Sequence, residues 1–170
     1  MEQKATGEET DKIVVFRLGD EEFGASISQV NRILKPTEIT RVPNTPPYIL
    51  GVLNLRGRIV VVVDLAQKLG FTSKPFDAHT RIINVEIGDT ILGMVVESAK
   101  DLLTINKASI KPAPALIQKK IDAEYLQGVA ILDQRVIILL NLTKVLDLSM
   151  VTSLSEDAAQ AASEEKDETA

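Results

Sequence analysis

The sequence predicts a mainly β protein in which two small barrels, each of about five strands, pack against each other. Three observations support this fold class: short β-branched segments between turn residues, aliphatic runs without polar alternation, and an internal repeat. The chain has 170 residues, of which 45% are hydrophobic. This composition is sufficient for a substantial core.

Short β-branched segments recur along the chain, such as "KIVVFRL", "RIINVEI" and "RVIILLNL". They are bounded by Gly-Asp, Arg-Gly or Asp-Gln pairs or by proline, which is typical of short strands joined by tight turns. Helix is predicted only in short pieces, at "DLAQKLG" and "LTKVLDL", with a single turn at "TPPYIL".

One of these strands contains the unbroken aliphatic run "IVVVV" at residues 59–63. Successive side chains of a strand point to opposite faces, so a run without alternation indicates that both faces are covered. A barrel packed against a second body would cover both faces, and so would a sandwich.

An internal repeat favours the arrangement of two barrels. Residues 12–34 align without gaps with residues 81–103, and residues 48–69 align without gaps with residues 125–146. The offset grows from 69 to 77 residues, so the second copy holds eight extra residues, most naturally in the proline-containing loop 106–120. A copy of about 60 residues is only marginally stable alone, which predicts that the two copies pack together.

The repeat and the composition define the expected domain boundaries. We predict a first barrel over about residues 12–70, a linker at 71–79 and a second barrel over about 80–148. A flexible N-terminus at 1–11 and a disordered acidic tail at 149–170 flank this domain. The last sixteen residues hold six acidic residues against one lysine, which accounts for the whole net charge of -5. Such a segment has little to bury and is typical of a solubilising end.

The composition also argues against several function classes. The chain has no cysteine, so it can form neither a disulfide nor a cysteine metal site. Its first residues are polar and acidic and its longest aliphatic runs have five residues, which predicts neither a signal peptide nor direct membrane insertion. Outside the tail the charge is nearly balanced, and four Phe, two Tyr and no Trp argue against a nucleic-acid partner.

The sequence contains no convincing catalytic or metal-binding pattern, so we expect a protein that is not an enzyme and needs no cofactor. His79 is the single histidine and lies in the linker. The phosphate-loop spacing of "GDEEFGAS" lacks the required lysine, because Ala25 occupies its position. Glu21 and Glu22 are adjacent and would point to opposite faces of a strand, so they cannot act as an acid–base pair.

The repeat helps to separate scaffold residues from candidate functional residues, because a residue kept in both copies is expected to serve the fold. Arg58 matches Arg135, which favours a structural role in which its aliphatic stem covers the barrel mouth. Arg56 instead matches Asp133, and the glycine after Arg56 becomes a glutamine. Arg56 is therefore either a solvated turn charge or a guanidinium fork that recognises a partner carboxylate.

Two consecutive stretches, "FGASISQVNRIL" and "ITRVPNTPPYILGVLNLRGRIVVVVDL", resemble the CheW-like family, which includes chemotaxis adaptors and the regulatory domain of the histidine kinase CheA. The resemblance covers about residues 10–148. It implies two SH3-like five-stranded barrels around a shared hydrophobic core. The chain contains no pattern of a kinase ATP-binding domain, a phosphorylatable histidine domain or a receiver domain, so it resembles a stand-alone adaptor rather than CheA or CheV.

The resemblance implies a cytoplasmic, non-enzymatic scaffold that is recruited to membrane receptor arrays. Its implied partners are the CheA regulatory domain and the cytoplasmic tip of methyl-accepting chemotaxis receptors. The residues that match the receptor-binding groove of the family are Ile27, Val30, Ile33, Gly51 and Arg56. The residues expected at the kinase contacts are those of two hairpin turns, Arg56, Gly57, Asp133 and Gln134.

One position departs from the family pattern. The motif "VNRI" places Arg32 where a glutamate is usual, and that glutamate would be the ion-pair partner of Arg56. With Arg32 present, Arg56 either faces another cation or turns to Glu38, to Asp64 or to a carboxylate of a partner. Two further functions stay open at this point: an adaptor of a kinase pathway other than chemotaxis, and a barrel that binds nucleic acid or a small ligand.

Overall fold

The computed structural model describes residues 9–145. Within this range the chain forms ten strands, two short α-helices and several 3₁₀ turns. The strands are β1 (Thr10–Leu18), β2 (Glu21–Ser26), β3 (Arg32–Leu34), β4 (Ile49–Leu55), β5 (Arg58–Asp64), β6 (Arg81–Ile87), β7 (Thr90–Val96), β8 (Ser98–Asn106), β9 (Leu126–Leu132) and β10 (Arg135–Leu140). The helices are α1 (Leu65–Lys68) and α2 (Ala115–Lys120), and 3₁₀ turns lie at Ile27–Gln29, Lys107–Ser109, Ala123–Tyr125 and Leu142–Lys144.

The strands form two five-stranded sheets, which confirms the mainly β fold class. Sheet A has the strand order β8-β1-β2-β10-β9, and sheet B has the order β3-β6-β7-β5-β4. The assignment of one barrel to residues 12–70 and the other to 80–148 needs correction, because each sheet takes strands from both copies of the repeat. The sequence alignment relates equivalent strands, but it carries no information about which strands pair in space.

In each copy of the repeat, the first hairpin pairs with strands of the other copy. Hairpin β1–β2 belongs to copy one but joins the strands of copy two through the antiparallel pair β1–β8 and the parallel pair β2–β10. Hairpin β6–β7 belongs to copy two but joins copy one through β3–β6 and the parallel pair β5–β7. Parallel neighbours need a long connection between them. Here the linker and the intervening hairpins provide that connection.

The hydrophobic residues fall into one shared cluster between the sheets and one smaller cluster within each sheet. The run at residues 59–63 contributes to two of them. Val61 and Val63 lie in the shared cluster, while Val60 and Val62 lie in the cluster of sheet B. All four valines are buried, so both faces of this strand are covered, as the absence of alternation predicts.

Two of the three predicted helical pieces are present. The third, at 142–148, begins with the 3₁₀ turn Leu142–Lys144, and its residues after 145 lie outside the described residues. Segment 64–70 contains α1, and the backbone N–H of Ile49 donates to the carbonyl oxygen of Pro46 at 3.0 Å in the predicted single turn. The loop that holds the eight extra residues of copy two contains α2, a helix that the sequence pattern did not predict. The described helices include none that is long and apolar enough to cross a membrane.

Only some of the predicted domain boundaries lie within the described residues. Linker 71–79 contains neither strand nor helix, and β1 begins at Thr10, within the predicted N-terminal segment. The acidic tail at 149–170 and the first eight residues lie outside the described residues.

The two copies also meet at a cation–π contact. The Nζ atom of Lys68 on α1 lies 4.9 Å from the ring centroid of Tyr48 and 5.7 Å from that of Tyr125. The two tyrosines are matched residues of the repeat, and both pack against the shared cluster. This contact supports the structural role that the repeat predicts for the tyrosines.

Asn84 on β6 is a buried polar residue at a position where the repeat has Val15. Its side chain is 0% exposed, and neither Nδ2 nor Oδ1 has a hydrogen-bond partner among the described residues. We expect Asn84→Val to raise the free energy of unfolding by about 1 to 3 kcal/mol, because it removes two unsatisfied buried polar atoms. Denaturant unfolding followed by circular dichroism measures this change.

The converse substitution Val15→Asn provides the control, since it places an amide in the core of sheet A. It should lower the free energy of unfolding. A loss of stability in Asn84→Val would contradict the expectation and would mean that the amide is satisfied by a water inside sheet B.

Candidate functional site

Three apolar residues that match the receptor groove of the family lie close together in the sequence, between the 3₁₀ turn after β2 and strand β3, and we call them the β3 patch (Ile27, Val30 and Ile33). Ile27 opens the 3₁₀ turn after β2, and the Ser26 hydroxyl caps this turn by accepting from the backbone N–H of Ser28 at 3.3 Å. Ile27 is 39% exposed and Ile33 is 37% exposed. Val30 is half-buried and packs against the shared cluster. Ile27 and Ile33 are therefore the residues of the patch that are free to contact a partner.

The β3 strand has little support of its own. It is three residues long, lies at the edge of sheet B and pairs only with β6. The backbone N–H of Asn31 donates to the carbonyl oxygen of Asn84 at 2.7 Å just before the strand begins. Arg32 is exposed next to Ile33 and has no ion pair with any residue in the range 9–145. The patch thus combines exposed aliphatic groups with an adjacent cation.

Gly51 lies in β4, where it is buried and has a φ of 144°. A Cβ at this position would collide with the carbonyl oxygen of Thr40, which forms an isolated bridge with Val52. Gly128 has a φ of 138° and a corresponding close approach to Lys111. Because the same constraint appears in both copies, Gly51 serves the close backbone approach and offers no side chain to a partner.

Arg56 and Gly57 form the two-residue turn between β4 and β5. Their φ angles are 53° and 87°, as a type I′ turn requires at both central positions. The backbone N–H of Gly57 donates to Oδ1 of Asn54 at 2.7 Å. Arg56 is exposed, and its guanidinium has no hydrogen bond or ion pair within the described part of the chain.

The matched turn of copy two carries the opposite charge, and only the first of its two central residues has a positive φ. Asp133 has a φ of 54° and is exposed, as is Gln134. Positive φ is several-fold more common for aspartate and asparagine than for other side chains. Arginine at this angle is therefore less favourable for the backbone than aspartate. The two matched turns are thus both exposed, and they differ in the sign of their charge and in the backbone of the second central residue.

Neither Glu38 nor Asp64, the two carboxylates of the described chain that the sequence suggests as partners of Arg56, forms an ion pair with it. Asp64 lies at the far end of β5, where its carboxylate accepts from the backbone N–H of Gln67 at 3.2 Å and from the Ser73 hydroxyl. Glu38 is exposed and forms no ion pair with the other described residues. The guanidinium of Arg56 is therefore available to an external carboxylate.

The two matched arginines at the starts of β5 and β10 have different partners. Nη1 of Arg58 lies 3.3 Å from Oε1 of Glu86, and Nη2 donates to the Asp89 carbonyl oxygen at 3.4 Å. In Arg135, Nε and Nη2 donate to the two carboxylate oxygens of Glu22 at 3.0 and 2.7 Å. Arg58 thus contacts a backbone carbonyl and forms an exposed ion pair, both of which agree with a structural role.

Arg135 joins three strands of sheet A. Besides Glu22 on β2, its Nη2 donates to Oδ2 of Asp101 on β8 at 2.9 Å. The hydrogen bond from Arg135, reinforced by its charge, lowers the pKa of Glu22 below the ordinary value of 4.5, against the opposing effect of burial. The same bonds raise the pKa of Arg135. The start of β10, directly after the turn of Asp133 and Gln134, is therefore anchored by ion pairs within the domain.

Sequence reasoning missed an exposed apolar pair beside the second turn. Ile131 and Val136 face each other across β9 and β10 and are 54% and 49% exposed. The repeat contains one signal for this pair, because Ile131 matches the polar residue Asn54. The second turn therefore offers an anion next to aliphatic groups, while the first offers a cation next to an amide.

The described residues contain no cluster of three or more histidine, cysteine or acidic side chains that could hold a metal ion. His79 is exposed in the linker, and its backbone N–H donates to Oδ1 of Asp77 at 2.7 Å.

Comparisons with known proteins agree on one family. A family model described as the CheW-like domain matches residues 12–150. The chain is 36% identical over 135 residues to the chemotaxis protein CheW of Klebsiella aerogenes, covering 79% of this chain and 81% of that protein. It is 34% identical over 149 residues to the chemotaxis protein CheW of Bacillus subtilis, covering 88% and 95%.

A solved structure has the same fold. The crystal structure of the scaffolding protein TtCheW from Thermoanaerobacter tengcongensis superposes with a TM-score of 0.75 at 34% sequence identity. The match covers 82% of this chain and 94% of that chain.

We expect Arg135→Met to destabilise the fold about twice as much as Arg58→Met at neutral pH, because Arg135 binds two carboxylates and Arg58 one exposed carboxylate. The Glu22 contribution is fully present above its ordinary pKa of 4.5 and is lost as the pH falls below that value, through the lowered pKa of the folded state. The difference between wild type and Arg135→Met should therefore shrink from pH 7 to pH 3. Urea titrations at both pH values measure it, and a difference independent of pH would contradict this account.

Proposed function

The chain belongs to the CheW-like domain family, and from this membership we propose that it is a non-enzymatic chemotaxis scaffold that couples transmembrane chemoreceptors to the histidine kinase CheA. The observation that carries the proposal is the family match over residues 12–150, which includes nearly all of the described residues. Relatives matched over most of their own length are named chemotaxis protein CheW, and the matching solved structure is that of a scaffolding protein.

We assign the β3 patch to the receptor. A receptor tip is an amphipathic helical hairpin, and such a helix can place its apolar stripe on exposed aliphatic groups. Ile27 and Ile33 provide these groups on a 3₁₀ turn and an edge strand. Arg32, between the two, gives a carboxylate on the helix a contact that favours one orientation.

We assign the two hairpin turns to the kinase. The turn with Arg56 and Gly57 is cationic, and the turn with Asp133 and Gln134 is anionic and lies beside Ile131. Because like charges disfavour an interface, the two turns are expected to select different surfaces. One scaffold could then contact two different kinase domains in fixed orientations.

The proposed location follows from these partners. We place the protein in the cytoplasm, at the arrays formed by the cytoplasmic tips of receptors. Its contact with the membrane is then indirect, through the receptor.

The test of this function is co-sedimentation with receptor-containing membranes and CheA. We expect the wild-type chain to sediment with the membranes and Ile33→Asp to reduce capture at least about tenfold, because it places a carboxylate in an apolar contact. Leu116→Asp on α2 is the matched control, since Leu116 is also an exposed aliphatic residue but lies outside the patch. Capture of neither receptor nor CheA by the wild-type chain would refute the proposal.

Arg56→Asp copies the matched residue of the second turn. We expect the free energy of unfolding to stay within about 0.5 kcal/mol, because the side chain is exposed and aspartate tolerates positive φ. Kinase activation in a reconstituted receptor complex should fall several-fold. Lys100→Asp on β8 makes the same charge reversal at another exposed position and should leave activation unchanged. Unchanged activation in Arg56→Asp would mean that the turn charge is only solvated.

A further inference from the structure

Every strand pairing between different hairpins joins the first half of the chain, residues 9–70, to the second half, residues 80–145. These pairings are β1–β8, β2–β10, β3–β6 and β5–β7. The remaining sheet pairings are the hairpins themselves. Neither half alone can complete a sheet, so each half presents unpaired strand edges that fit only the other half.

The only covalent connection between the halves is the linker 71–79, and its two ends are held to different halves. Phe71 stacks edge-on against Phe23 with ring centroids 5.8 Å apart, and the Ser73 hydroxyl donates to Asp64. Both partners belong to the first half. On the other side, the backbone N–H of Asp77 donates to Oγ1 of Thr80 at 2.8 Å, within the second half.

The three residues between these anchors form a candidate hinge, residues 74–76. Lys74 makes an ion pair with Glu97 at 3.3 Å, and because the lysine side chain is 56% exposed the pair contributes little to stability. Phe76 is exposed, and residues 74–76 line a cavity of about 130 Å³. Pro75 disfavours a helical backbone at Lys74 and so biases the hinge towards an extended form.

We propose that this chain exchanges its halves with a second copy of itself, forming a dimer that opens at residues 74–76. The first half of each protomer then completes both sheets with the second half of its partner. All strand pairings and all three hydrophobic clusters are kept, and only the hinge contacts change. Exchange of an identical element is a low-cost route to a dimer.

The exchanged dimer would retain the surfaces of the monomer. The β3 patch lies on the first half, and its supporting strand β6 lies on the second half. Each of the two units therefore carries a complete patch and both hairpin turns. The dimer would be a bivalent form of the scaffold, with its two units held together by the hinges.

The monomer is favoured at low concentration, because the linker keeps the two halves at a high effective concentration. Exchange requires breaking all pairings between the halves, so the two forms interconvert slowly once folded. The dimer fraction is therefore set during folding and rises with the protein concentration at which folding occurs.

The chain has no cysteine, which allows a direct test with the full chain. Lys12 and Thr104 are exposed and oppose each other across β1 and β8, one in each half. Opposed residues of antiparallel strands are close enough for a disulfide. In Lys12→Cys/Thr104→Cys, oxidation links residues of one chain in the monomer and residues of two chains in the exchanged dimer.

The protein is refolded from guanidinium at several concentrations, separated by size-exclusion chromatography, oxidised and run on a non-reducing gel. We expect a dimer peak that grows with refolding concentration and gives a covalent dimer on the gel. Ile131→Cys/Val136→Cys is the matched control, because both positions lie in the second half and their link stays within one chain. A dimer peak whose cross-half variant runs as a monomer on the gel would overturn the proposal, as would the absence of a dimer at all concentrations.

Hinge length provides a second measurement. Deletion of residues 74–76 should raise the ratio of dimer to monomer at least about tenfold, because the shorter linker disfavours return of the chain within one protomer. Insertion of six Gly/Ser residues after Lys74 should lower the same ratio of dimer to monomer. This variant tests the proposal if the deletion variant does not fold. A ratio that does not respond to hinge length would contradict opening at this site.

Discussion

The structure depends on the pairing of strands between the two copies of the repeat. The parallel pairs β2–β10 and β5–β7 place a hairpin from one copy in the middle of the sheet of the other. Each sheet then covers its own small cluster on one face and the shared cluster on the other. This arrangement explains why strands such as β5 are aliphatic on both faces, and why two units of about 60 residues form one stable domain.

The sequence predicted the strands and their burial well, because these follow from local patterns. β6 spans the predicted segment "RIINVEI", and β10 spans the first six residues of the predicted segment "RVIILLNL". The assignment of one barrel to each copy of the repeat did not anticipate sheets built from both copies, since both arrangements bury the same residues and need the same turns. The orphaned amide of Asn84 was also not predictable, because a single asparagine in a strand gives no indication of its partners.

The sequence also predicted part of the candidate site. The repeat separated Arg56 from Arg58, and the structure places Arg56 in an exposed turn without a partner among the described residues. The repeat also marks Gly51 as a scaffold residue, because Gly128 matches it. The family groove nevertheless includes Gly51, since it contains residues that shape the groove as well as residues that touch the partner. The exposed pair of Ile131 and Val136 was missed because apolar residues of a short strand look alike whether they face the core or solvent.

The charges of the two sheets can be compared position by position. In sheet A, Arg135 is neutralised by Glu22 and Asp101. The matched positions in sheet B are Arg58, Ile91 and Arg32, so both carboxylates have been replaced, one by an aliphatic residue and one by a cation. Arg58 finds a substitute in Glu86, whereas Arg32 has no ion-pair partner within residues 9–145. The charged side chains at this end of sheet A are therefore paired within the domain. In sheet B, Arg32 has no such partner within residues 9–145 and is available to a carboxylate on the surface of a partner.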